Sequence, residues 1–133
     1  MMEKITPIPT PTSQPYFDGC RTGELRIQFC EHCESYQFYP RVLCAGCGSE
    51  SLEWRTASGR GTIASFTIVR RAVSKAYEVP YVVALIDLVE GVRLMSHIVD
   101  VDVEHVRVGQ SVTVHFEPWG GDVTLPVFRL LDQ

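Results

Sequence analysis

Past residue 60 the apolar positions fall mostly into period two. Val112, Val114 and Phe116 alternate with Thr113, His115 and Glu117, the spacing of a strand with one face buried. Val92, Leu94, Ser96 and Ile98 alternate with Arg93, Met95 and His97 in the same way, and Gly91 after Glu90 marks a tight turn before them. Tyr81 to Val89 is nearly all apolar, as expected of a strand buried on both faces. Thr62 to Arg71 is rich in β-branched and aromatic residues. Val127 to Leu131 supplies a last strand, with Pro126 confined to its start because proline cannot donate to a ladder. Asp100 to Gly109 is expected to form a loop or one helical turn. Five strands without a long helix predict a mainly β fold, a small closed barrel of the oligonucleotide/oligosaccharide-binding (OB) type. A small sandwich is the alternative.

Upstream the pattern differs. Pro7, Pro9, Pro11 and Pro15 lie among Thr and Ser in residues 1–15, which reads as an extended tail needing a surface to rest on. From Gln14 a short helix is expected to run to about Gly23, with Pro15 in its first turn and Ser13 as its cap. Tyr16, Phe17 and Cys20 then share one face. Leu25 to Phe29 and Tyr36 to Tyr39 read as short strands flanking a turn, and Gly46, Gly48 and Ser49 form a second turn-like segment.

Those two turns carry Cys30-x2-Cys33 and Cys44-x2-Cys47, separated by ten residues. Four thiolates complete a tetrahedral shell around a soft ion, and zinc suits them best. A closed four-sulfur site keeps no open coordination position, so its role is structural. A module this small has too little core to fold alone, and metal binding supplies the shortfall, roughly 10–16 kcal/mol in zinc-finger peptides. Two disulfides are the competing reading, and iron in a rubredoxin-like cage the competing metal. His32, inside the first turn, is surplus to a filled shell. Cys20 reads as a small buried apolar residue.

Composition narrows the function. Twelve basic against sixteen acidic residues give −4, a poor balance for binding phosphates non-specifically. The longest apolar run, Val79 to Ile86, is too short to span a bilayer. The first residues lack the apolar stretch of a secretory signal. A cytoplasmic location, with no membrane association, is the expectation, and paired cysteines there favour metal over disulfides. No nucleophile elbow, P-loop or zinc-protease motif is present, and His97, His105 and His115 fall in separate elements without evident carboxylate partners. No catalytic residue is assigned. Arg70, Arg71 and Lys75 cluster after the first barrel strand as candidate contacts for coenzyme A phosphates; a solvated basic face is the plainer alternative.

Several motifs together resemble a known family. They are Tyr16-Phe17 followed by Gly23-Glu24-Leu25; Cys30-Glu31-His32-Cys33, Tyr39-Pro40-Arg41 and Cys44-Ala45-Gly46-Cys47-Gly48-Ser49; Glu53-Trp54, Ser58-Gly59-Arg60-Gly61-Thr62-Ile63 and Ser65-Phe66-Thr67; Pro80-Tyr81-Val82-Val83-Ala84; Val108-Gly109-Gln110-Ser111-Val112; and Pro126-Val127-Phe128. From about Gln14 onward the chain resembles the acyl-CoA-associated proteins long known as domain of unknown function, family thirty-five. Glu34 departs from the pattern, standing where a glycine commonly follows the first cysteine pair.

The resemblance implies a short N-terminal helix after an extended tail (1–24), a rubredoxin-like zinc ribbon (25–56) and a five-stranded OB-fold barrel (57–133). It also implies a non-catalytic accessory subunit, in a hetero-oligomer with a thiolase-fold enzyme (thiolase, acyltransferase or aldolase) or a hot-dog-fold hydratase. There it would help to form or bridge an acyl-CoA site, with Tyr16 and Phe17 on a docking element. Two other functions compete. One is an OB-fold module binding single-stranded nucleic acid, disfavoured by the acidic balance and by the few exposed aromatics expected on the barrel. The other is an iron-loaded electron carrier.

Overall fold

The computed structural model describes residues 6–72, 74–120 and 123–131. Helix α1 (Gln14–Thr22) opens with Pro15 in its first turn and ends at Gly23, whose φ of 84° lets its N–H and that of Glu24 reach back to the carbonyls of Cys20 and Gly19. Ser13 does not cap it. Its hydroxyl accepts from the Thr10 N–H at 2.9 Å, and its backbone is already helical, so it ties down the turn before the helix. Tyr16, Phe17 and Cys20 do share the buried face.

Three antiparallel strands follow, β1 (Arg26–Cys30), β2 (Ser35–Gln37) and β3 (Leu52–Thr56), in the order β2-β1-β3. The third is missing from the sequence reading, although Leu52 and Trp54 alternate with Glu53 and Arg55. Arg55 packs across the sheet, its guanidinium 3.6 Å from the centre of the Phe29 ring, and pairs along its own strand with Glu53 at 2.7 Å.

Strands β4 (Arg60–Val69), β5 (Tyr81–Leu88), β6 (Arg93–Ile98), β7 (Ser111–Gly120) and β8 (Val123–Leu130) close a barrel in the order β4-β5-β6-β8-β7. Every pairing is antiparallel except β6 with β8. This is the OB-fold, and the sandwich is set aside. The stretch before β7 contains one 3-10 turn, Val103–His105. Phe128, Ile63, Ile86, Val82 and Val112 fill the barrel, each at most 1% exposed; burying side chains of this size stabilises by about 1.5–3 kcal/mol apiece.

Two expectations for the barrel need correction. Pro126 lies inside β8, in register with Phe116, and not at the strand's start. The chain tolerates it because β8 meets β6 in ladder register only at Phe128, while the Pro126 carbonyl accepts from the Ser96 hydroxyl at 2.8 Å. Strand β5 is fully buried on one face only. Val82, Ala84, Ile86 and Leu88 point inward, and Tyr81, Val83, Leu85 and Asp87 are half-buried on the outside.

Glycines set two close approaches in the Ser58–Ile63 segment. A Cβ on Gly59, which has φ 79°, would lie 2.3 Å from Val114 Cγ1, and one on Gly61 would lie 2.5 Å from the Asp87 carbonyl oxygen. Helix α1 packs against both β1 and β8 and so ties the small sheet to the barrel. The Ala57 N–H, bonded to the Leu25 carbonyl at 2.7 Å, closes the same junction. Among the described residues no helix is long and apolar enough to cross a membrane.

Candidate functional site

The two cysteine turns lie at one end of the small sheet. Cys30 ends β1, Cys33 falls in the β1–β2 turn, and Cys44 and Cys47 belong to the loop between β2 and β3. Their sulfurs lie within 4.8 Å of one another, the one such group of His, Cys, Asp or Glu among the described residues. Cys30–Cys47 and Cys33–Cys44 are each 3.6 Å apart. A tetrahedron with metal–sulfur bonds of 2.3 Å has edges of about 3.8 Å, so the sulfurs already outline a zinc-sized cage. All five cysteines are unbridged, and Cys20 is buried on the inner face of α1, which pushes its thiol up to about 11.

Backbone amides favour anionic sulfur at Cys44, while burial and the neighbouring sulfurs push the Cys47 thiol up. The N–H groups of Cys47 and Gly46 hold the Cys44 thiol down at about 6, with the Gly46 nitrogen 3.3 Å from the sulfur. Cys30 and Cys44 are buried while Cys33 and Cys47 face solvent. The four cysteines are positioned to bind one metal ion. Zinc there would cross-link the two turns; the protein's own part is to hold four thiolates at the right spacing. His32 is exposed and outside the ligand group.

A pair of glutamines supports the second turn. Gln28 and Gln37 face each other across β1 and β2, and the Gln37 amide donates to the Gln28 carbonyl oxygen at 2.7 Å. Gln28 also takes the Arg41 N–H and donates to the Arg41 carbonyl, both at 2.8 Å. The Ala45 N–H reaches Gln37 Oε1, again at 2.8 Å. Gln28 is 5% exposed, so its polar atoms depend on these partners, although Arg41 and Ala45 themselves face solvent. Neither glutamine is singled out by its sequence context; only the strand register brings them together.

At Glu34, the departure from the family pattern, φ is 55°, so a side chain occupies a left-handed turn that glycine takes without strain. The other residues of interest are spread apart. Arg70, Arg71 and Lys75 sit on the exposed connection from β4 to β5, and Arg70 pairs with Glu104 at 2.9 Å. Neither pocket described below has any of the three in its wall. Tyr16 and Phe17 are each 6% exposed and pack edge to face at 5.0 Å. His115 contacts Arg129 at 3.1 Å, and His105 belongs to the 3-10 turn.

Two adjoining pockets open on the barrel's outer face. An apolar groove of ≈ 250 Å³ runs between α1 and strands β5, β6 and β8, with Tyr16, Val83, Met95, His97, Trp119 and Val127 in its wall. Met95 on its rim is 71% exposed. On the other side of His97 and Trp119, a second pocket of ≈ 270 Å³ gathers Tyr77, Tyr81, Glu78 and Glu117. Tyr77, Tyr81, His97 and Trp119 are half-buried and line this open space. The sequence hides them because they come from a loop and three strands. A further apolar surface lies on the small sheet, where Tyr39, Val42 and Leu43 are 45, 73 and 45% exposed.

Comparison with known proteins places this architecture. Residues 17–53 match the family described as ChsH2, rubredoxin-like zinc ribbon domain, and residues 54–117 match ChsH2, C-terminal OB-fold domain. A probable enoyl-CoA hydratase alpha subunit of Thermomonospora curvata is 32% identical over 114 residues, which cover 86% of this chain and 36% of that protein. The chain thus spans about a third of that relative's length. A DUF35 domain-containing scaffold protein of Methanothermobacter thermautotrophicus is 34% identical over 89 residues, covering 65% of this chain and 67% of the relative. A solved chain described as Ltp2-ChsH2(DUF35) aldolase superposes with a TM-score of 0.86 at 30% identity, covering 94% of this chain and 98% of that one. With the four-cysteine ribbon, the OB barrel and these relatives agreeing, the chain belongs to the DUF35 family of zinc-ribbon/OB-fold proteins.

Proposed function

We propose that this chain is a non-catalytic, zinc-binding accessory subunit that docks on a thiolase-fold acyl-CoA enzyme and helps to form or bridge its acyl-CoA site. The observation that carries the reading is the match, over nearly the whole of both chains, to a solved chain described as Ltp2-ChsH2(DUF35) aldolase. The surface agrees with it. Tyr39, Val42, Leu43 and Met95 leave apolar area in water on the ribbon and on the barrel groove, the kind of area that marks protein contacts. Tyr16, backed by Phe17, contributes to docking as a wall of that groove. Arg71 and Lys75, with Arg70 beside them, are offered as contacts for coenzyme A phosphates at the rim of the shared site, and the reduced thiols fit a cytoplasmic setting. The names of the hydratase relatives make a hydratase the next partner to try.

The test is co-expression with thiolase-like and hydratase-like proteins encoded beside this chain, followed by co-purification and assay. A stable complex is expected, with activity that falls when this subunit is left out. Val42→Glu and Met95→Glu should each weaken assembly by about thirtyfold or more, the size of a hot-spot loss, while leaving the exposed positions' thermal stability unchanged. Arg71→Ala with Lys75→Ala should raise the KM for acyl-CoA. Absence of any complex, or full activity of the enzyme alone, would defeat the proposal.

A further inference from the structure

The second pocket has a chemistry that docking on an acyl-CoA enzyme does not use. Its four rings form a closed circuit. Tyr77 and Tyr81 are 6.1 Å apart between ring centres, Tyr81 and His97 5.1 Å, His97 and Trp119 5.4 Å, and Trp119 and Tyr77 6.2 Å. The planes turn by 32, 32, 69 and 53° from one to the next: Tyr77, Tyr81 and His97 lean on one another as a tilted row, and Trp119 meets its ends at steeper angles. Different elements hold them: Tyr77 lies in the β4–β5 connection, Tyr81 begins β5, His97 is in β6 and Trp119 ends β7. His97 sits opposite Val83 in the ladder, so Tyr81, two residues back on β5, falls diagonally beside it on the same outer face.

Two carboxylates share the cavity, Glu78 and Glu117, and the space they and the rings enclose is ≈ 270 Å³. Ring faces carry the negative part of the aromatic quadrupole and attract cations. The carboxylates add formal negative charge at the same place. Phosphates are repelled by such a lining. A small, strongly hydrated metal ion gains little from ring faces. A large, weakly hydrated organic cation gains from both the rings and the carboxylates.

We infer that this pocket binds an organic ammonium group, held against Tyr77, Tyr81, His97 and Trp119 and neutralised by Glu78 and Glu117. The shared chemistry is an alkylated ammonium head, carried either by a free small molecule or by a lysine side chain presented by a partner.

The chain has two tryptophans, so in a Trp54→Phe background Trp119 alone reports by fluorescence. The full zinc-loaded chain is titrated with choline and, at matched ionic strength, with its neutral carbon isostere 3,3-dimethylbutanol. Saturable binding of choline is expected, at least about tenfold tighter than the isostere, the difference that one or two desolvated cation–ring contacts supply. By calorimetry, Glu117→Gln and Tyr77→Leu should each weaken choline binding about fivefold or more. Glu117→Gln keeps shape and size, and an unchanged thermal midpoint shows that the fold is retained. N-acetyl-trimethyllysine amide run alongside separates the sources: tighter binding than choline points to a side chain, and weaker binding to a free ammonium compound. Equal affinity for choline and its isostere, binding indifferent to Glu117→Gln, or no saturable binding of either cation overturns the inference.

Discussion

The Gln28–Gln37 pair shows how single side chains set the quality of the metal site. Gln28 spends its carbonyl oxygen on the Gln37 amide and the Arg41 N–H, and its own amide on the Arg41 carbonyl. Gln37 holds the same β2–β3 loop further on, at Ala45, and the loop delivers Cys44 and Cys47. Removing Gln28 leaves the Arg41 amide, its carbonyl and the Gln37 amide without their shared partner at a part-buried place, at a cost of about 1–3 kcal/mol. Gln28→Ala is therefore expected to lower stability by that amount and to surrender its metal to a competing chelator at about tenfold lower chelator concentration, with all four ligands intact. Zinc release followed by a coloured indicator measures it. Unchanged release with unchanged stability would show that the cysteines hold their positions without help.

At the scale of elements, what was legible depended on how local the signal is. The cysteine ligands come in pairs three residues apart, so spacing alone exposed them. Strands β6 and β7 announced themselves by strict alternation, and Gly23 marked the end of α1. The missed features are all made by pairing. Strand β3 is short and carries Glu53 and Arg55, which pair with each other along the strand while the Arg55 guanidinium covers the Phe29 ring of β1. Pro126 can sit inside β8 because of how its neighbours lie. The ring circuit needs a closed barrel before Tyr77 and Trp119 meet.

Carboxylates at element ends add a pH dependence. The Gln14 amide and Arg21 hold Asp18 below the ordinary range, Arg26 and Thr56 do so for Glu24, and Arg93 does so for Asp87. A carboxyl depressed in the folded state binds fewer protons there than in the unfolded chain. Its contribution is thus present above the unfolded value, about 3.9–4.3, and is lost as pH falls through the folded one. Asp87 clasps Arg93 with two bonds, 2.7 and 3.0 Å, across the β5–β6 hairpin. The thermal midpoint of Asp87→Asn should lie below that of the parent chain at neutral pH, and the two curves should converge below about pH 4. Curves that stay parallel to the lowest pH would remove Asp87 from the acid response.

For the whole molecule, the decisive contrast is between a barrel whose ladder closes on itself and a small sheet that does not. No strand of β1–β3 pairs with any of β4–β8; the two are joined through α1 and the Leu25–Ala57 bond. Ordering a backbone costs about 1–2 kcal/mol per residue, so a ribbon of roughly thirty residues needs far more than its few buried side chains return. Metal coordination, of the order of 10–16 kcal/mol in zinc-finger peptides, adds what such a small core lacks. The barrel has no such need, with Phe128, Ile63, Ile86, Val82 and Val112 sealed inside it. Stripping the metal with a chelator under reducing conditions should therefore unfold the molecule in parts. Amide exchange in β1–β3 is expected to lose protection first and β4–β8 to keep theirs, while Tyr16, no longer backed by the ribbon's Phe38 and Tyr39, loosens the wall of the groove. Assembly with the partner enzyme should fail at the same chelator concentration, ahead of any loss of barrel structure. Uniform loss of protection across both units, or full protection of β1–β3 without metal, would show that the ribbon does not owe its fold to the ion.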